Sequence, residues 1–368
     1  PMTDPRVQKL AKTLVEYSVK VKPKDWVIIF ATPTSEPLAV EVYRYAIRAG
    51  GYVNMQMGSE KTAEILYTES NDDQLKHLSP YDRIPFEDAD VFISINSQEN
   101  TRHLNGVDPA RMQSRSAARK DIMTAYMNRS SSGKLRWTLT NYPCNAFAQD
   151  ADMSLSDYED FVYKATFADQ DDPVARWNQI EKDQERLVQW LKGKKKLELK
   201  SPTIDVSMSI EGRTFINSTA THNMPGSEIF TSPVEDSLNG WVEYSFPAIH
   251  IGREVDGVRL EFKDGRVVKS SAQKNEEFLK TTLATDDGAS VIGELGIGTN
   301  YGIDRFTKSI LYDEKIGGTI HMAVGAAIPE CGGKNQSSVH WDMICDMRKD
   351  SEIRVDGDLF YKDGQFQV

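Results

Sequence analysis

The stretch from Gly317 to Asp342, GGTIHMAVGAAIPECGGKNQSSVHWD, holds two of the chain's six histidines, and the second is followed two residues later by an aspartate. In an extended strand, residues i and i+2 project from the same face, so His340 and Asp342 point together with Trp341 turned away. An imidazole and a carboxylate so placed are half of a divalent-metal site. His321 lies in the run Thr319 to Val324, which also reads as a strand. The turn-rich Pro329-Glu330-Cys331-Gly332-Gly333 then folds the chain back and brings the two histidines close.

Two glutamates upstream keep unusual company. Glu228 sits in MPGSEIFTSP and Glu294 in IGELGIGTN. Each carboxylate is set among glycines and apolar residues, where an unpaired charge is costly to bury unless a cation or a donor meets it. Together with His321, His340 and Asp342 they form a mixed nitrogen and oxygen set suited to one or two divalent ions. The chemistry of such a set is hydrolytic, with a water activated and a carbonyl polarised. A spare carboxylate then carries the proton to the leaving amine, and both Glu294 and Glu314 are candidates. Of the remaining histidines, His77, His103 and His250 fall outside any cluster, and only His222, just upstream of Glu228, is a candidate for supporting the site.

The elements that must position these residues follow from texture. At 368 residues the chain is long enough for two domains, and 39% hydrophobic content places it among folded globular proteins. A net charge of −11 argues against nucleic acid or an anionic membrane as partner, since both demand a basic face. Three scattered cysteines without a C-x-x-C pair fit neither a disulfide framework nor a thiolate zinc site, and the expected location is the reducing cytoplasm. Cys331, beside the histidine stretch, is expected to be structural. No apolar run approaches the roughly 20 residues of a membrane span, and no secretory leader is recognisable at the start.

Apolar spacing predicts an amphipathic helix over Asp4 to Val21 with Thr3 as its cap, then a buried strand, Trp26 to Ala31. A helix over Pro37 to Ala49, strands at Tyr52 to Met57, Asp90 to Asn96 and Lys134 to Asn141, and helices at Ser154 to Ala165 and Val174 to Leu191 complete the first half. Alternating strand and helix means an α/β fold with a mostly parallel sheet. Past the solvated lysine run Lys192 to Lys196 the texture changes to short β runs punctuated by Asp-Gly at Asp256-Gly257, Asp264-Gly265, Asp356-Gly357 and Asp363-Gly364, each a hairpin signal. The expected organisation is therefore an N-terminal α/β domain, residues 1–196, and a C-terminal antiparallel β-rich domain, residues 197–368, that carries the metal site. Two attractive strings are set aside. Gly296-Ile297-Gly298 lacks the rest of a dinucleotide fingerprint and lies in the β half, and Gly332-Gly333-Lys334 lacks the spacing of a phosphate loop.

Four motifs, GSEIFTSPVEDS, GELGIGTN, DEKIGGTIHMA and GGKNQSSVHWDM, resemble in order and spacing the thermophilic metalloaminopeptidase family that includes aminopeptidases T, S and II, and the similarity covers essentially the whole chain. The resemblance implies removal of N-terminal residues from peptides at a site of two divalent ions (zinc, cobalt, manganese or magnesium). By motif, their ligands would be Glu228, Glu294, His321, His340 and Asp342. It also implies a homodimer that encloses the site, with peptides as the partners and neither nucleic acid nor membrane. One position departs from the pattern: similar sequences carry an active-site tyrosine where this chain has Ile328. That tyrosine is a plausible hydrogen-bond donor to the oxyanion of the tetrahedral intermediate, which isoleucine cannot be, while Tyr301 and Lys334 are the candidate substitutes. Two other readings follow. A distant branch of the superfamily cleaves dihydroxypyridine rings with a single ferrous ion held by two histidines and an aspartate, for which His321, His340 and Asp342 suffice. A peptidase homologue impaired at Ile328 is the other.

Overall fold

A computed structural model describes residues 4–368, which divide into two compact units. The first runs up to Trp177 and includes the returning segment Ala220–Pro225, and the second comprises Asn178–Thr219 and Gly226–Val368.

The first unit is built on a parallel sheet in the order Tyr52–Met57, Trp26–Ala31, Val91–Asn96, Arg136–Asn141 and Asn223–Met224. Its second strand, WVIIFA, paired on both edges, is apolar on both sides because helices cover both faces of such a sheet. The opening helix spans Pro5–Thr13 and runs on through a π-helical turn, Leu14–Ser18. Asp4 caps it, its carboxylate accepting from the Arg6 N–H, so the capping role expected of Thr3 belongs to Asp4, and Thr3 itself lies outside the described residues.

The second unit contains an eight-stranded and a five-stranded antiparallel sheet together with a two-stranded hairpin. Three Asp-Gly pairs form the expected two-residue turns, with both residues at positive φ at Asp264-Gly265, Asp356-Gly357 and Asp363-Gly364. Asp256-Gly257 does not. The strand before it, Arg253–Val255, pairs backwards with Ala248–His250, the strand after it, Arg259–Lys263, pairs elsewhere, and Asp256 bridges to Lys274.

The five-stranded sheet positions the chemistry. In sheet order its strands are His340–Asp346, Thr319–Gly325, Ile292–Gly298, Glu228–Thr231 and Ile216–Ser218. Alternation assigns Ile229, Leu295, Ile297, Ile320, Met322, Trp341 and Met343 to one face, and these join Leu199, Val206, Val242 and Leu260 of the larger sheet in one apolar core. The opposite face of the same strands is left to Glu228, Glu294, His321, His340 and Asp342.

Candidate metal centre

Register explains how the polar face is assembled. His340 and Asp342 share a face of their strand, with Trp341 turned into the core and stacked on His250 at 5.1 Å. The turn through Pro329–Cys331 returns the chain so that Gly325 pairs with His340 and Ala323 with Asp342. On the other side of the His321 strand, Gly296 pairs with His321, and beyond it Gly298 pairs with Glu228. Glu228, His321 and His340 thus each lie opposite a glycine. The room is needed: a Cβ on Gly296 would stand 2.0 Å from His321 Nε2. Gly296 in GELGIGTN therefore makes room for the His321 ring and Gly298 for the backbone at Lys315 and Ile316, and neither serves a nucleotide.

Two groups of ligand-type atoms result, Glu228 with Glu294 and His321, and Glu294 with His340 and Asp342. Glu294 belongs to both. Its Oε1 is 3.3 Å from His321 Nε2 and its Oε2 is 3.1 Å from His340 Nε2, while Glu228 Oε2 is 3.2 Å from His321 Nε2 and Asp342 Oδ2 is 3.3 Å from His340 Nε2. Glu314 joins His321 and Asp342 in a third group. All six side chains nominated for metal or proton work therefore meet in one place.

The protonation pattern is that of lone pairs short of positive charge. Burial alone would lower both histidines, but hydrogen bonds and charges from the surrounding carboxylates override it and raise His321 to about 10 and His340 to about 11. Burial pushes Glu228 up to about 8, opposed mainly by Lys315, whereas the two imidazoles hold Glu294 at about 2 in spite of its burial. Three buried atoms, Glu228 Oε2, Asp342 Oδ1 and His321 Nδ1, have no hydrogen-bond partner among the described residues. Buried oxygens left in this state are expected where a cation belongs. His340 adds a directional argument: its Nδ1 is 2.9 Å from the Ala326 carbonyl, which can only accept, so Nδ1 keeps its proton and Nε2, facing Glu294 and Asp342, is the nitrogen that would give up its proton to an ion. The residues present fit divalent metal.

Several supporting residues were not singled out by the sequence. Gln184, on the helix Pro173–Leu191, donates to the Glu228 carbonyl at 3.1 Å and accepts from Thr299 at 2.7 Å. Ser232 donates to the Gly293 carbonyl at 2.7 Å and accepts from the Ile328 N–H at 2.8 Å, which ties the Ile328 loop to the residue before Glu294. Asp286 grips the segment leading into His340 through Ser337 and Ser338. Lys315 is fully buried against Glu314 and Glu228, and those carboxylates raise its pKa although burial opposes them, so it is charged. Its signal was available in DEK, where a lysine follows two acidic residues, but nothing in the string says it is buried.

Other nominated residues lie elsewhere. Tyr301 donates its hydroxyl to the Gly364 carbonyl at 2.7 Å, and Lys334 is exposed. The His222 ring packs on Trp137 at 4.7 Å in the first unit and has its pKa lowered by burial. Cys331 is buried, and burial first of all raises its thiol to about 12, which suits a structural role.

A family model described as thermophilic metalloprotease (M29) matches residues 3–366. The chain belongs to this metalloprotease family. Among its relatives, aminopeptidase 2 of Geobacillus stearothermophilus is 27% identical over 98% of this chain and 95% of its own length. Aminopeptidase T of Thermus thermophilus is 29% identical over 62% of each chain. In structure the chain is similar to wild-type AmpT from Thermus thermophilus, with a TM-score of 0.86 at 20% identity over 99% of both chains. It is also similar to the 2,5-dihydroxypyridine dioxygenase of Pseudomonas putida KT2440, with a TM-score of 0.59 at 14% identity over 100% of this chain and 99% of that one. Both structural likenesses speak to the fold alone.

Proposed function

We propose that this M29 chain is a metal-dependent aminopeptidase that hydrolyses the first peptide bond of peptides at a site for two divalent ions. The observation that carries the reading is the pair of ligand groups joined by Glu294, each of whose carboxylate oxygens faces a different histidine. In this assignment Glu228 and His321 would hold one ion, His340 and Asp342 would hold the other, and Glu294 would serve both. Divalent ions bound there supply a water of lowered pKa and polarise the substrate carbonyl.

The remaining work falls to the chain's own groups. Both oxygens of Glu294 face imidazoles of the proposed ligand set, which leaves Glu314, paired with Lys315 outside that set, as the carboxylate to take a proton from water and deliver it to the leaving amine. The Ala326 carbonyl keeps His340 in the tautomer that presents Nε2. Gln184 fixes the backbone of Glu228. At Ile328 the side chain offers no donor for the oxyanion, so turnover is expected to be lower than in a chain with tyrosine there.

The ring-cleaving alternative requires only His321, His340 and Asp342. The closeness of Glu228 and Glu294 to the imidazoles supports the peptidase reading, because a single-ion oxygenase has no use for them. The reading of an N-terminal α/β domain and a C-terminal β-rich domain that carries the site, residues 1–196 and 197–368 by texture, is supported by the location of every proposed ligand beyond residue 227, although the compact units place 178–196 with the second and 220–225 with the first. A cytoplasmic homodimer remains part of the proposal. No helix among the described residues is long and apolar enough to cross a membrane.

The test is a metal count on protein purified without chelator, combined with hydrolysis of aminoacyl nitroanilides before and after exhaustive chelation. Two ions per chain and activity that chelation abolishes and zinc, cobalt or manganese restores are expected. A protein without divalent ions, activity that survives chelation, or oxygen uptake with dihydroxypyridines would each sink the proposal.

A further inference from the structure

Lys315 has no place in the reaction as described, yet none of its side chain is exposed. A lysine ordinarily buries its stem and keeps its head in water, and a buried ammonium is costly unless paired. Here Nζ contacts Glu314 Oε1 and lies 3.7 Å from Glu228 Oε1. Both partners belong to the candidate centre.

The backbone aims this side chain rather than leaving it to chance. The Asn300 N–H donates to the Lys315 carbonyl at 2.9 Å, and the Lys315 N–H donates to the Tyr312 carbonyl at 3.1 Å. Gly298 allows the turn to lie against the Glu294 strand, since a Cβ there would stand 2.3 Å from the Ile316 carbonyl oxygen and 2.9 Å from the Lys315 carbonyl carbon. The third glycine of GELGIGTN, Gly298, thus makes room for the backbone of Lys315 and Ile316.

A carboxylate near two ions has two possible fates. It coordinates, or it stays free to move protons. Glu314 groups with His321 and Asp342 within 4.8 Å, so distance alone does not keep it from coordinating. Its direct ion pair with a fixed ammonium is what sets it apart from Glu294 and Asp342. The same ammonium lies against Glu228 as well, so it offsets part of the negative charge that the acidic set would present to an ion.

We propose, on the reading of the preceding subsection, that Lys315 is a positioning residue: its ammonium holds the Glu314 carboxylate off the divalent ions, and it weakens the grip of the acidic set on those ions. Lys315 does not touch substrate. It acts through Glu314 and Glu228.

The experiment uses the full chain as Lys315→Met, Lys315→Gln and Lys315→Arg. Each is stripped with chelator, checked for folding by circular dichroism and melting, and titrated with zinc alone by calorimetry before steady-state kinetics on aminoacyl nitroanilides. Removing a nearby positive charge is expected to tighten zinc binding about tenfold or more. With Glu314 drawn onto the ions, kcat is expected to fall about 10²-fold while KM stays within about twofold. Lys315→Arg, which keeps the charge, recovers part of kcat and wild-type zinc affinity. Unchanged or weaker zinc binding in the neutral variants overturns the proposal, as does a wild-type kcat. If Lys315→Met does not fold, the polar Lys315→Gln decides by the same two criteria. A wild-type chain that binds no zinc, or whose activity ignores chelation, refutes the aminopeptidase reading itself. That result is read before any variant is compared.

Discussion

Gly296→Ala tests whether the glycines opposite the candidate ligands are there to admit them. An added Cβ would lie 2.0 Å from His321 Nε2, 2.1 Å from Cε1 and 2.9 Å from Cδ2. Side-chain carbons do not sit this close, so the ring must retreat by roughly 1 Å or more to restore ordinary packing. It has little freedom to do so, because His321 is fully buried and its strand is paired on both sides. A metal site tolerates ligand displacements of only about 0.2 Å. The ion shared by Glu228, Glu294 and His321 should therefore be lost or held badly, and kcat/KM should fall on the order of 10²-fold from misplacement alone. Overpacking adds a stability cost of about 1–3 kcal/mol, too small to unfold an ordinary domain. The assay is metal content by mass spectrometry and aminoacyl nitroanilide kinetics on the folded variant, with its melting temperature measured alongside. A Gly296→Ala protein that keeps the wild-type metal count and kcat/KM would refute the geometry argued for His321.

Three further outcomes are expected. Ile328→Tyr should raise kcat by about 10²-fold if the missing donor limits turnover, and an unchanged kcat in stopped-assay kinetics would show that another group already serves. Glu314→Gln should lower kcat about 10²- to 10⁴-fold while leaving the metal count intact, and loss of metal instead would make Glu314 a ligand. Asp286, held near 2 chiefly by the Ser338 N–H and the Ser337 and Ser338 hydroxyls, titrates below its ordinary 3.8 in the folded chain. The stability it lends is therefore present above about pH 4 and disappears as pH falls through about 2. Between those values wild-type melting temperature should drop more steeply than that of Asp286→Asn, and parallel curves would contradict the assignment.

Legibility differed between the two units for a physical reason. The parallel sheet was readable because a strand buried on both faces writes an unbroken apolar run, and Trp26–Ala31 coincides with its expected bounds; the edge strand Tyr52–Met57 also coincides, although it has no buried residue. The hairpins of the second unit were readable where Asp and Gly both occupy the left-handed region. Asp256-Gly257 shows the limit of that signal, because a dipeptide does not say which strands its neighbours will choose. Helix capping failed by one residue for a similar reason: Thr3 and Asp4 both have capping chemistry, and only the geometry at Arg6 separates them.

What the sequence by itself determined is the inventory of the site. Carboxylates among glycines and a histidine two residues before an aspartate are local facts, and strand periodicity alone puts His340 and Asp342 on one face. Tertiary structure decided what each residue is for. Glu294 becomes the candidate bridge because its strand lies between those of Glu228 and His321, Gly296 becomes the floor beneath His321 and Gly298 the clearance for the turn at Lys315, and Lys315 moves from a charged string to a buried cation. Such roles depend on distances between residues as far apart in the chain as Glu228 and Lys315. Those distances are set by cross-strand register and by which face the core claims, and no local pattern encodes either.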